Sequence, residues 1–131
     1  MIRGFTCGAF DLLHAGHLLM LKECRAQCDY LIVGLHTDPT IDRPEKQKPV
    51  ETLEERKIRL EGCKYVDEII VYETEADLYE LLKRIKPDVR FLGIDHKSKP
   101  FTGDDLPIKI IFNSRDHNFS STNLRDRIKG C

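Results

Sequence analysis

Residues 29–37, DYLIVGLHT, form an almost unbroken apolar run of strand length, and no other stretch limits the fold so sharply. A strand that is apolar on both sides is buried on both sides, the condition of a parallel sheet with helices over each face. The flanking segments agree. MIRGFTCG reads as a first strand ending in glycine, and HLLMLKECRAQC between the two runs places Leu18, Leu21, Cys24 and Cys28 at helical spacing, so the chain opens β-α-β.

The alternation continues. DPTIDRPEKQKPV, rich in Pro, Asp and Lys and without period, reads as a loop, and its length points to a functional role. Thr52 with Glu55 three residues on resembles a capping box, opening a helix in which Leu53, Ile58, Leu60 and Cys63 are the apolar positions. YVDEIIVY reads as the third strand. Thr74 can cap EADLYELLKRIK, whose Leu78, Leu81, Leu82 and Ile85 share one face before Pro87 stops the helix. VRFLGID and IKIIFN read as strands four and five, and Ser120 as the cap of a last helix, SSTNLRDRIK. The pattern predicts an α/β architecture: a doubly wound, five-stranded parallel sheet with helices on both faces, in one domain over residues 1–131.

With 131 residues and 40% hydrophobic side chains, the chain supports one core rather than two. Its 21 Lys and Arg against 22 Asp and Glu leave a net charge of −1, so no global basic field draws nucleic acid or an anionic membrane. Any anion site is therefore assembled locally. No apolar run has the length of a membrane span and no N-terminal stretch has the layout of a secretory signal, so a cytoplasmic location with neither membrane nor nucleic-acid partners is expected. Cys7, Cys24, Cys28, Cys63 and Cys131 contain no CxxC pair and are odd in number, which fits reduced, mostly core thiols. Cys24 and Cys28 supply half of a zinc ligand set, and no protein-held metal is expected.

GAFDLLHAGH, residues 8–17, follows the first strand and lies where such sheets bind ligands, at a strand's carboxyl end. Gly8 lets backbone approach a ligand, the helix opening near Gly16 and His17 offers N–H groups to an anion, and His14 and His17 can aim imidazole donors at the same point. Two histidines three apart also serve as caps or core residues, so the pair alone leaves both roles open. The GxGxxG dinucleotide fingerprint and the GxxxxGK[ST] phosphate loop are both missing.

This stretch resembles the signature of the cytidylyltransferase-like nucleotidyltransferases, in which Gly-Thr-Phe-Asp precedes His-x-Gly-His. DYLIVGLHTD is similar to that family's second strand, KQKP to its lysine-bearing loop, EERK to the following helix, KYVDEII to its Arg-Tyr-Val-Asp-Glu stretch, FLGID to the end of its fourth strand, and SRDHNFSST to its closing Arg-Thr-x-Gly-Ile-Ser-Thr-Thr motif. In length and motif order the chain most resembles the glycerol-3-phosphate cytidylyltransferases of that family. The resemblance implies a Rossmann-like fold, a homodimer, and transfer of CMP from CTP to a small phosphorylated acceptor with release of pyrophosphate.

An acceptor phosphate is already ionised at neutral pH, so such a reaction needs positioning and charge stabilisation rather than a general base. By the resemblance, His14 and His17 contact the triphosphate and stabilise the pentacoordinate state, with the backbone of Gly8, Ala9 and Phe10. Lys46 and Lys48 match mobile-loop lysines that reach phosphates, although a charged loop standing alone reads as solvated surface. Arg115 matches a clamp on the β and γ phosphates, and Ser120, Ser121 and Thr122 bring hydroxyls and N–H groups to the same place. The implied catalytic set is His14, His17, Lys46 and Arg115. Gly93 and Asp95 border the base, while Asp11, Asp38, Lys46, Lys48 and Lys64 border the acceptor; for Asp11 an orienting or capping role in the first turn is an equal reading. Mg²⁺ is expected with the triphosphate, held mainly by phosphate oxygens and water.

Four departures touch acceptor and base selection: Ala9 for Thr, Lys64 for Arg, His96 for an aromatic residue, and Asn118 with Phe119 for Gly-Ile. They keep two alternatives open: an adenylyltransferase using ATP on a phosphorylated cofactor precursor, and a nucleotide-binding module without turnover. His14, His36, His96 and His117 fall at or beyond strand carboxyl ends and His17 opens the first helix, so all five are expected to gather on one face, the extra three responding to pH or to a transition metal. DHKSKPFTGDDLP reads as a loop flanking the acceptor or as a plain connector.

Overall fold

The computed structural model describes residues 1–114 and 119–130, with the side chain of Ser121 outside that description. Along the chain it forms β1 (Arg3–Gly8), α1 (Ala15–Arg25), β2 (Tyr30–His36), α2 (Leu53–Glu61), β3 (Glu68–Tyr72), α3 (Glu75–Ile85), β4 (Val89–Gly93), β5 (Lys109–Asn113) and α4 (Ser121–Lys129), with short 3₁₀ turns at Pro39–Ile41 and Ile94–His96. The strands make one sheet in the order β3-β2-β1-β4-β5, every neighbouring pair parallel. This is the Rossmann-like α/β fold expected from the sequence.

β2 shows why the apolar run matters. Leu31, Val33 and Leu35 point into one core with Leu21 and Cys24 of α1 and Leu60 of α2, while Ile32 points into a second core with Phe5 and with Leu78, Leu81 and Leu82 of α3. Both faces are covered, and no polar residue interrupts the strand before His36. Close packing explains two glycines: a Cβ on Gly4 would lie 2.7 Å from the Phe91 ring, and one on Gly34 would lie 2.9 Å from that of Phe5.

Three helix starts are set by hydroxyl side chains. Thr52 and Thr74 each close a capping box, with Glu55 and Asp77, and the Ser120 hydroxyl accepts the N–H of Asn123. Lys86 ends α3 in a left-handed conformation just before Pro87.

Some expectations are corrected. Leu18 is 40% and Ile58 60% exposed, so neither is a core position. In α2 the buried stripe runs through Leu53, Arg56 and Leu60, and Ile58 lies around the helix from it; a buried arginine holds a place that polarity argued against. Cys28 is buried, but in the turn after α1 rather than within the helix. The third strand begins at Glu68, three residues later than read, because Asp67 accepts the Leu31 N–H on its carboxylate at the strand's entrance. The fourth strand stops at Gly93, and Ile94 and Asp95 belong to the turn. Among the described residues no helix is long and apolar enough to cross a membrane.

The order β3-β2-β1-β4-β5 reverses direction beside β1, and the registered pairing of β1 with β4 stops after Gly4–Val89 and Phe5–Arg90. Past that point the carboxyl ends of β1 and β4 separate. A crevice at such a reversal is where sheets of this type take ligands.

Candidate functional site

The turn from β1 into α1 carries two non-glycine residues at positive φ, Phe10 at 50° and Leu12 at 51°. Such conformations cost free energy and persist only where the surroundings hold them. Here Phe10 is 4% exposed and its ring meets that of His17 at 5.5 Å, while the Leu12 N–H donates to Glu51 at 2.7 Å. Asp11, between them, accepts the N–H groups of Val50 and Glu51 at 2.8 and 2.9 Å and pairs with Arg125 of α4. Burial works against its charge, but these three donors prevail and hold its carboxyl below the ordinary value.

His14 is the N-cap of α1. Its Nδ1 accepts the N–H of Gly16 at 3.0 Å, and Nδ1 of His17 accepts the N–H of His14 at 3.2 Å. A nitrogen that accepts from an amide carries no proton, so in each neutral ring the proton resides on Nε2. Burial, then the nearby His14, pushes His17 down to about 4. At neutral pH it is an uncharged imidazole with a fixed N–H donor.

These groups face a cleft of about 500 Å³, within the usual range for small-molecule sites. Ala9, Phe10, Asp11 and His17 line it from the first turn, Lys46 from the loop after β2, and Thr122 and Arg125 from α4. Of the residues proposed from sequence, Ala9, Phe10, Asp11, His17, Lys46 and Thr122 are therefore brought together, with His14 stacked on His17 at 3.9 Å. Gly8 leads into the turn from the end of β1.

The other proposed residues are placed differently. Asp38 caps the first 3₁₀ turn through Thr40, and its second oxygen lies 3.8 Å from Lys48. Lys64 lies on a separate groove of about 680 Å³, with Leu18, Leu19, Tyr65 and Phe119. Gly93 and Asp95 are exposed at the end of β4, and Ser120 caps α4. Arg115, His117 and Asn118 lie outside the described residues, as does the side chain of Ser121.

The expected gathering of histidines fails at His36. It is 5% exposed, its Nε2 lies 3.0 Å from the Glu73 carbonyl and its ring stacks on Tyr72, so it serves the β2–β3 edge. His96 does sit near the lysine loop, where burial and then Arg43 lower its pKa. Among the described residues no group of three or more His, Cys, Asp or Glu is arranged to hold a metal. Cys24, half of the zinc alternative, is a core thiol pushed up to about 12 by burial.

Two side chains that shape the cleft escaped the sequence reading. Arg125 reaches both Asp11 and Gln47, joining α4 to the first turn and to the lysine loop. Arg56, 2% exposed, donates to the carbonyls of Glu51, Ala9, His36 and Thr37, tying the carboxyl ends of β1 and β2 together beneath the cleft. Burial lowers its pKa, although Asp11, Asp38 and Glu51 all favour the charge. Arg125 stands three residues after Thr122, on the same helix face as a proposed phosphate contact, and that spacing was the available signal.

Fold and cleft together define an α/β protein with a ligand crevice at the switch point of a parallel sheet, in which Lys46 and Arg125 face Asp11 and Glu45. The family model for cytidylyltransferase-like proteins matches residues 5–127, and the chain belongs to that family of nucleotidyltransferases. The bifunctional protein HldE of Wolinella succinogenes is 41% identical over 103 residues, covering 78% of this chain and 22% of that protein. HldE of Campylobacter concisus is 34% identical over 126 residues, covering 95% and 26%. The chain thus spans about a quarter of the length of these curated relatives. A crystallised lipopolysaccharide core biosynthesis protein of Thermoplasma volcanium is 28% identical with a TM-score of 0.64, over 99% of this chain and 88% of that one. Pantothenate synthetase of Thermus thermophilus, 15% identical with a TM-score of 0.68 over 98% and 64%, shares the fold. The expected tie to CTP and glycerol 3-phosphate finds no support in the HldE relatives.

Proposed function

We propose that this chain transfers the AMP unit of ATP to the phosphate of a small phosphorylated sugar, releasing pyrophosphate. An oxygen of the sugar phosphate attacks the α-phosphorus as the bond to the β-phosphate oxygen breaks. The observation that carries the reading is the His14–His17 pair, whose hydrogen bonds leave each ring protonated on Nε2 beside a cleft also lined by Lys46 and Arg125. These donors suit charge building on phosphate oxygens, and none has to move a proton. Likeness to the HldE proteins favours ATP over CTP. Likeness to a lipopolysaccharide core biosynthesis protein favours a sugar acceptor, and the replacement at His96, near the lysine loop, fits a changed base.

Magnesium enters this reading with the triphosphate, whose charge it offsets. The carboxylates lining the cleft are Asp11 and Glu45, and both oxygens of Asp11 are engaged by Val50, Glu51 and Arg125, so phosphate oxygens and water would hold the ion.

The test is pyrophosphate release with Mg²⁺ from ATP and CTP in parallel, against sugar 1-phosphates and glycerol 3-phosphate. Release from ATP with a sugar phosphate is the expected result. Release only from CTP would overturn the nucleotide assignment, and nucleotide binding without turnover on any acceptor would make the chain a binding module.

A further inference from the structure

Glu75, the first residue of α3, does not line the cleft, yet it touches both the loop that carries Lys46 into the cleft and the β4–β5 connection. Its N–H donates to the Asp42 carboxylate at 2.7 Å, its Oε1 lies 3.4 Å from an Arg43 guanidinium nitrogen, and its Oε2 accepts the Thr102 hydroxyl at 2.8 Å. Asp42 and Arg43 begin the stretch that presents Lys46; Thr102 belongs to the β4–β5 connection. That connection is itself fastened to the sheet face. The buried Arg90 donates to the Thr102 carbonyl and lies 5.4 Å from the Phe101 ring, and the Tyr79 hydroxyl of α3 donates to Asp105 at 2.8 Å.

The lysine loop is therefore tied at three points: Asp42 and Arg43 to Glu75, Gln47 to Arg125, and Val50 with Glu51 to Asp11. The second and third ties belong to the cleft itself, whereas the first lies outside it and bears only on the loop's path. Arg43 and Lys46 also lie near enough to His96, in the turn after β4, to disfavour its charge.

We propose that Glu75 is a positioning residue, fastening the lysine loop to the β4–β5 connection so that Lys46 is held over the cleft. The assignment rests on the nucleotidyltransferase reading for its effect on turnover, but not for its effect on the loop. Glu75 is 27% and Arg43 44% exposed, so the pair alone is worth little, and the expected effects are correspondingly small.

The sequence supplies a direct probe. Between residues 42 and 51, trypsin meets Arg43 and Lys48, each followed by proline and so resistant, and Lys46, followed by Gln47 and cleavable. In Glu75→Gln and in Arg43→Gln, cleavage after Lys46 is expected to quicken about twofold to fivefold. The KM for the nucleotide triphosphate should rise by a similar factor with kcat little changed. The double variant should be no worse than either single one, because both remove the same Arg43–Glu75 ion pair and leave the Glu75 N–H on Asp42 in place. Unchanged cleavage in both single variants, or effects that add in the double variant, would overturn the proposal. A lower melting temperature with unchanged cleavage and KM would show a helix-end role alone and overturn it too. Should no nucleotide and acceptor pair turn over, the proposed function falls, while the cleavage rates still decide the role of Glu75.

Discussion

His17 takes the backbone N–H of His14 on its Nδ1 at 3.2 Å while the two imidazoles stack 3.9 Å apart. Burial makes a charge on His17 costly and the neighbouring His14 opposes it, while Asp11 works the other way, and the balance pushes His17 down from 6.5 to about 4.

A pH dependence of stability follows. Because the folded value lies below the unfolded one, the unfolded chain binds the proton first as pH falls, so the contribution is complete above about 6.5 and is lost on the way down to about 4. The full loss is ~3 kcal/mol from this residue. Urea denaturation at pH 7.5 and 4.5 should show the parent losing more stability than His17→Gln; equal losses in the two would contradict the environment described for His17.

Turnover gives a second measure of the same residue. In the proposed reaction, removing one fixed donor slows the step by about 10²-fold to 10³-fold. His17→Ala should therefore lose most of its kcat with ATP while keeping a cooperative unfolding transition. Full activity in this variant would remove the histidine pair from the mechanism.

Arg56 predicts a stability effect without a chemical one. Replacing it with Met leaves four carbonyls without their donor, three at the ends of β1 and β2 and that of Glu51 before α2, in a place where Arg56 is 2% exposed. A loss of about 3–5 kcal/mol is expected, on the scale of breaking a buried charged network. Arg56→Lys should recover only part, since an ammonium cannot span four acceptors held by a planar fork. A near-neutral Arg56→Met in denaturant titration would contradict this.

Asp11 and Arg125 separate by the size of their effects. Both Asp11→Ala and Arg125→Ala remove the ion pair, but the former also strands the N–H groups of Val50 and Glu51. Asp11→Ala should be the more destabilising by about 2 kcal/mol. Arg125→Ala should weaken nucleotide binding instead, read as a higher Kd in calorimetry.

The sheet was legible because β2 is apolar on both faces, a pattern that few other settings of a strand produce. The caps at Thr52, Thr74 and Ser120 were legible because they depend on residues three apart. What escaped depends on long-range contact. Arg56 reads as a surface residue in EERK, and only the meeting of the β1 and β2 ends with the loop at Glu51 gives its guanidinium four acceptors. His36 shared its position near a strand end with the other histidines of the expected cluster, but its ring stacks on Tyr72, supplied by β3. Lys64 matched a motif by order, yet it lies on a different groove from Lys46.

The tied loop has a consequence for how such a chain diversifies. Between Asp42 and Gln47 the backbone is a short span pinned at both ends, so the place of the Lys46 ammonium is governed by how much chain lies between the pins. One inserted residue adds up to about 3.5 Å of slack. Insertions and deletions there would retune the reach of the lysine toward bulkier or smaller substrates, while every residue of the cleft stayed as it is.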